Sequence, residues 1–229
     1  KINFPIGLKS IGYDALRNCT ALEIEDLSLP NLTSLGQNAF YGVKIKNISN
    51  LGKVTSLQRT GTTYGDKTTL ESLNLPQTIK SLGNDSGGNT FDGFINLVIE
   101  EVNFPSVTYI PDGVFYNTKI NKLTSLGSST AISQTNAQKS QKGAFQASTI
   151  NEVAEGVFDN ITTIGSYAFT SATISGGEAE LVFPNVKTIG YFAFQSLKPN
   201  RFNVDLTPFF AFRRRRFVKE LRRRRDWPP

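Results

Sequence analysis

The sequence contains no histidine, no methionine and a single cysteine, Cys19, among its 229 residues. Each absence removes a class of chemistry. Without histidine there is no Ser-His-Asp or Cys-His nucleophile system and no imidazole metal ligand. One cysteine permits neither an internal disulfide nor a thiolate cluster around a metal. No apolar run approaches the length of about 18 residues that a membrane-spanning helix needs. Without methionine, Lys1 is not a translation start. A processed chain that has lost a signal sequence is one explanation, and a fragment is another. Charged residues are few at 19%, while the apolar 38% suffices for a sizeable core.

The charge that is present is unevenly placed. Residues 1–200 carry 13 Lys and 2 Arg against 16 acids, a net of −1. Residues 201–229 carry 1 Lys and 9 Arg against 3 acids, a net of +7. The preference for lysine inverts to arginine at the same place. This break predicts two parts: a repeat domain over 1–200 and an Arg/aromatic-rich cap or tail over 201–229.

The first part repeats itself. One phrase reads LKSIGYDAL from Leu8 and LTSLGQNAF from Leu32. It returns as VTYIPDGVF from Val107, ITTIGSYAF from Ile161 and VKTIGYFAF from Val186. Ahead of it stands an apolar residue followed by Pro or Gly, as in Phe4-Pro5, Leu29-Pro30, Leu51-Gly52, Leu75-Pro76, Phe104-Pro105, Leu126-Gly127 and Phe183-Pro184. The two shortest steps run from Pro30 to Gly52 and from Pro105 to Gly127. Asn84–Asn89 and Ser128–Lys142 read as surface-loop insertions. The count is about eight units of about 24 residues.

One such unit cannot bury its own Leu, Ile and Phe. Stacked coil on coil, the units share one continuous core and pair their short strands into a ladder. The expected fold is therefore a mainly β repeat solenoid. In-phase Phe40, Phe91, Phe115, Phe145, Phe169 and Phe194 are expected to form an internal aromatic spine, each worth about 1.5–3 kcal/mol when buried. The recurring Gly12, Gly36, Gly83, Gly165 and Gly190 are expected where the backbone turns sharply or approaches a neighbour.

The stretch from Ile11 to Leu22, IGYDALRNCTAL, together with the preceding apolar-Pro pair, resembles the BspA-like class of leucine-rich repeats down to its cysteine. The resemblance covers residues 1–200 and leaves the arginine-rich tail outside. It implies a curved leucine-rich-repeat array, extracellular or at the cell surface, with roles in adhesion and protein binding. It supplies no catalytic residues and no cofactor.

Candidate binding residues follow from strand alternation. Counting four residues back from each Pro/Gly position gives Asp26, Ile48, Ser72, Glu101, Leu123, Glu155 and Glu180. If these point outward, Asp26, Glu101, Glu155 and Glu180 line an acidic strand face suited to a basic protein segment. An ordinary solvated face is the competing reading, and no calcium-loop spacing is present. The neighbouring pairs Glu25/Asp26 and Glu100/Glu101 are expected on opposite faces, which denies them joint acid/base work. Cys19 falls at a repeated core-facing position and is expected to be a buried small hydrophobe.

The tail carries Arg213, Arg214, Arg215, Arg216, Arg222, Arg223, Arg224, Arg225 and Trp227, with a helix expected from about Thr207 to Arg225. Arginines among aromatics suit nucleic-acid phosphates and bases, an anionic membrane, or an acidic protein face. The abrupt inversion equally fits a segment of separate origin. Phe202, Val204, Leu206, Phe209 and Phe210 also suit a cap on the last repeat.

Overall fold

The computed structural model describes residues 2–57, 66, 68–83, 91, 94, 96–133, 142–175 and 181–199. No helix occurs among them. The strands are β1 (Ser10–Ile11), β2 (Glu23–Ser28), β3 (Ser34–Leu35), β4 (Lys44–Asn50), β5 (Ser56–Leu57), β6 (Ser72–Leu73), β7 (Ser81–Leu82) and β8 (Val98–Asn103). They continue with β9 (Lys119–Ser125), β10 (Ala131–Ile132), β11 (Thr149–Val153), β12 (Thr163–Ile164), β13 (Thr173–Ile174), β14 (Thr188–Ile189) and β15 (Lys198–Pro199).

They wind into a β-solenoid of repeats about 24 residues long. One wall is an eight-stranded parallel sheet in the order β2-β4-β6-β8-β9-β11-β13-β15, so each coil adds a rung in chain order. The register places Leu27, Ile48, Leu73, Ile99, Ile120, Ile150 and Ile174 in one inward row, each at most 5% exposed. Branched aliphatic chains fill a pleated, fully covered surface well, and this row follows from that preference. A second wall holds the two-residue strands, paired as β1-β3, β5-β7 and β10-β12-β14, with a bridge from Ile110 to Ile132.

The third side consists of tight turns that carry the Ala-Phe phrase. Five of the six expected phenylalanines stack, while Phe40 is buried and meets Phe4 edge-on, with centroids 6.2 Å apart. Phe91, Phe115, Phe145, Phe169 and Phe194 follow one another with ring centroids 6.0, 5.1, 5.2 and 5.6 Å apart and planes within 19° of parallel. Strand spacing near 4.8 Å sets this stacking distance, and a slight offset suits the ring quadrupoles. Phe104, Phe158 and Phe183 pack against the spine from the corner. Amides on the turn side donate to the following coil: Asp14, Leu16 and Asn18 to the carbonyls of Gln37, Ala39 and Tyr41, and Tyr167, Phe169 and Ser171 to those of Tyr191, Ala193 and Gln195.

Strict strand alternation fails in one respect. Ile48 and Leu123, expected to face outward, are fully buried. The cause is the corner type. From Leu27 to the inward Leu29 is two residues, but from Ile48 to the inward Leu51 is three, and Leu123 to Leu126 repeats this. The register shifts where these coils pair, between Leu27 and Ser28 and between Val102 and Asn103. Such a bulge keeps both corners on the core although one strand is a residue longer. The coils with the longer strands, β4 and β9, close on Gly52 and Gly127, both at φ +63°, where an added Cβ would lie 2.6 Å or less from the preceding coil's backbone. The same bonds fix both corners: Gly52 N–H donates to Asn50 Oδ1 (2.7 Å) and Gly127 N–H to Ser125 Oγ (3.1 Å).

Two further expectations need correction. The proposed insertion Ser128–Lys142 begins as part of the coil, because Ala131–Ile132 is strand β10 and Ser129 and Ser133 are buried. Cys19 is exposed. Its counterparts in later coils, Val43, Thr118, Ser148 and Ala172, are at most 2% exposed. Those positions lie between two coils, whereas no described coil covers the outer side of the first. The expected helix over Thr207–Arg225, the arginine runs and the proposed cap residues lie outside the described residues.

Phe145 has stacked rings on both sides, and Phe194 has one described stacked neighbour and is partly exposed. Phe145→Ala should lower unfolding free energy by about 3–5 kcal/mol, and Phe194→Ala by clearly less, measured as urea midpoints. Gly36→Ala should also destabilise, because its Cβ would fall 2.4 Å from the Gly12 carbonyl carbon, which belongs to backbone and cannot rotate away.

Candidate functional site

The outer surface of the eight-stranded sheet is the polar wall of the molecule. Inward residues such as Ile24 and Leu27, or Ile99 and Val102, lie three apart, so both residues between them face outward. Glu25 and Asp26 thus share the outer face, as do Glu100 and Glu101, contrary to the expectation from simple alternation. Their oxygens have separate protein partners. Asp26 accepts from the Ser49 hydroxyl (2.7 Å), and Glu101 from the Thr124 hydroxyl (2.6 Å). Glu100 accepts from the Asn121 amide (2.7 Å).

The four acids proposed for binding are not one row. Asp26 is in register with Asn47, Ser72, Val98 and Lys119. Glu101 is in register with Lys122 and Glu152. Glu155 lies three residues beyond Glu152, past the end of β11, and is exposed. Glu180 lies outside the described residues, as do Arg213–Arg216, Arg222–Arg225 and Trp227.

The charged rungs that the sheet does assemble alternate in sign. Lys44 pairs with Glu23 (2.8 Å), Lys46 with Glu25 (2.8 Å) and Lys122 with Glu152 (3.0 Å). Sequence reasoning passed over these residues. Their signal was present for Glu23/Lys44 and Glu25/Lys46, whose opposite charges are separated by the same 21 residues. Beside them runs an amide ladder: Ser175 Oγ and Asn121 Oδ1 bracket Asn151, which accepts from the former (2.9 Å) and donates to the latter (2.9 Å). Between β2, β4 and the turn before β6 the wall forms an open groove of about 520 Å³, lined by Glu23, Glu25, Lys44, Lys46, Thr69 and Glu71 among others.

These pairs shift titration in opposite directions. The hydrogen bond and charge of Lys44 hold the Glu23 carboxyl below the ordinary range. Glu23 raises Lys44, Glu25 raises Lys46 with help from Glu71, and Glu152 raises Lys122 with help from Glu101. Asp66 is lowered by hydrogen bonds from the hydroxyl and amide of Thr68. Among the described residues, no group of three or more acidic or Cys side chains is placed to hold a metal ion. No described helix is long and apolar enough to cross a membrane.

The stacked parallel rungs, inward aliphatic row and phenylalanine spine define a leucine-rich-repeat type of β-solenoid. A family model for the BspA type leucine rich repeat region, in 6 copies, matches residues 1–119 and 61–207. The chain belongs to this family, whose members are commonly surface protein-binding modules and generally non-catalytic. No curated protein and no solved structure matches the chain.

The titration shifts fix a pH profile. A depressed carboxylate contributes stability above its unfolded pKa of about 4, and that contribution is lost as pH falls toward the folded value. A raised lysine contributes below its unfolded pKa of about 10.4, and the contribution is lost as pH rises through the folded value. With no histidine to titrate between, thermal melts should show a level plateau from about pH 5 to about pH 9.5 and fall on either side.

Proposed function

We propose that this chain is a non-enzymatic, cell-surface or secreted binding module whose strand wall engages a protein or extracellular-matrix ligand. The observation that carries the reading is the outward sheet surface itself. It presents ordered rows of charge and amide whose acidic heads stay accessible, with side-chain exposure of 71% at Glu23, 77% at Glu25 and 53% at Glu152. A partner would read this wall through many modest contacts. Pairing across rungs holds the side chains in place beforehand, which lowers the ordering cost of binding. The open groove of mixed charge suits a peptide or protein surface better than an enclosed small molecule.

Asp26 and Glu101 are partly committed to their hydroxyl donors, so the test belongs on the more exposed acids. Glu25→Gln, Glu152→Gln and Glu155→Gln combined in the full chain should weaken binding to an immobilised basic matrix protein. The expected loss is about tenfold, mostly through slower association at low salt. Unchanged affinity at both low and physiological salt would sink the strand-wall reading.

A second reading rests on the tail. Its eight clustered arginines, Arg213–Arg216 and Arg222–Arg225, with Trp227, suit nucleic acid or an anionic membrane. Full-length chain would then bind a labelled oligonucleotide or anionic vesicles with a steep inverse dependence on salt. Binding that persists after both runs are changed to Gln rules this reading out.

A further inference from the structure

The turn side carries an aromatic patch that the packing of the coil does not account for. At the second residue after the corner glycine, the turn adopts a left-handed conformation. The occupants are Asp14 (φ 54°) and Asn38 (φ 55°) in the first two turns, then Tyr167 (φ 60°) and Phe192 (φ 52°) in the last two. Asp and Asn tolerate this conformation; a bulky aromatic residue there is an outlier held against its preference. The neighbouring backbone holds it. Tyr167 N–H donates to the Tyr191 carbonyl (2.9 Å), Tyr191 N–H to Ser166 Oγ (3.2 Å), and Thr170 Oγ1 to the Phe192 carbonyl (2.5 Å).

The rings gain little burial in return. Tyr191 is 60% exposed and Phe192 41%. With Tyr167 they make one cluster, centroids 3.8 to 6.1 Å apart, and the rings are inclined to one another by 44° to 80°. Elsewhere on this turn side a cation from an adjoining coil lies over a tyrosine ring, exposed at Tyr41 and half-buried at Tyr116. The Arg17 guanidinium lies 5.2 Å from the Tyr41 centroid, and Lys142 Nζ lies 4.4 Å from that of Tyr116.

We propose that Tyr167, Tyr191 and Phe192 form a guanidinium-binding surface whose occupant is the chain's own Arg213–Arg216 run. Three observations favour this source. The chain leaves the last described coil at Pro199 in β15, seven residues beyond Phe192 in the same coil. Arg213 lies fourteen residues after Pro199, a reach of up to about 45 Å, ample to return to the turn side. A planar guanidinium lies flat on an aromatic face and still donates from its edge, whereas an ammonium such as Lys142 on Tyr116 meets the ring only as a compact charge, and the lysine-to-arginine inversion coincides with this segment. The surface lies on the turn side, apart from the strand wall proposed for external partners.

Tryptic release of the tail from the full-length chain, followed by mass spectrometry, tests this. Cleavage after Arg213–Arg216 should be about tenfold slower than in a synthetic peptide of residues 207–229. Tyr191→Gln with Phe192→Asn rewrites the last turn to GQNAF, a sequence this fold already accommodates at Gly36–Phe40. That variant should keep or raise its melting temperature and cleave at the peptide's rate. Changing the four arginines to lysine, which trypsin also cuts, should remove most of the protection. Four cleavage results would overturn the proposal: peptide-like cleavage of the wild type, undiminished protection in the Gln/Asn variant, equal protection by lysine, or protection that grows with chain concentration. The last would place the tail on a second copy. A fall in melting temperature of the Gln/Asn variant would mark the rings as packing residues and also overturn it.

Discussion

Everything in this molecule depends on the rise from one coil to the next being fixed by parallel strand pairing. A coil has too few residues to enclose a core, so each inward side chain must find its cover on the coils above and below. Leu27 to Ile174 form one row for that reason, and the phenylalanines stack for the same reason. Rings separated by slightly more than a strand spacing are already in favourable contact. The aromatic spine is thus a consequence of the ladder, and it stiffens the side of the coil where turns replace strands.

The same rise dictates what the outside can be. Residues at matching positions stand one strand apart on the outer wall, close enough for hydrogen bonds and ion pairs. Like charges in register would repel, and the wall instead sets Lys44 against Glu23, Lys46 against Glu25 and Lys122 between Glu101 and Glu152. Hydroxyls and amides complete the rows. The outer surface is therefore a consequence of the repeat, each charged side chain meeting its partner one strand away.

The repeat, the solenoid and the aromatic spine were legible because they rest on residues recurring in phase. Ile-Gly and Ala-Phe pairs report burial and close approach between coils, and Gly36 against the Gly12 carbonyl shows why that glycine recurs, while Gly12 itself, in the first coil, meets nothing within 4 Å. The orientation of the outer residues was not legible from alternation. Leu51-Gly52 and Leu126-Gly127 look interchangeable with Leu29-Pro30 on paper, yet each adds a residue that is absorbed by a bulge, and this turns Ile48 and Leu123 inward. The short spacing from Pro30 to Gly52 carried a trace of the difference. Cys19 was misplaced for another reason. Its position is buried in the middle of the stack and exposed in the first coil, and a repeat phrase does not say which neighbours a copy has.

The bulged corners have a further meaning. A coil can lengthen its circumference by a residue, but its advance along the axis stays one strand spacing. Circumference is thus free to vary from copy to copy while axial position is quantised. Asp26 and Glu101 lie three strands apart, about 14 Å along the stack, and lengthening any turn between them leaves that distance unchanged. For a partner lying along the axis, the wall works as a ruler whose gradations are set by the backbone and whose markings alone are set by the sequence.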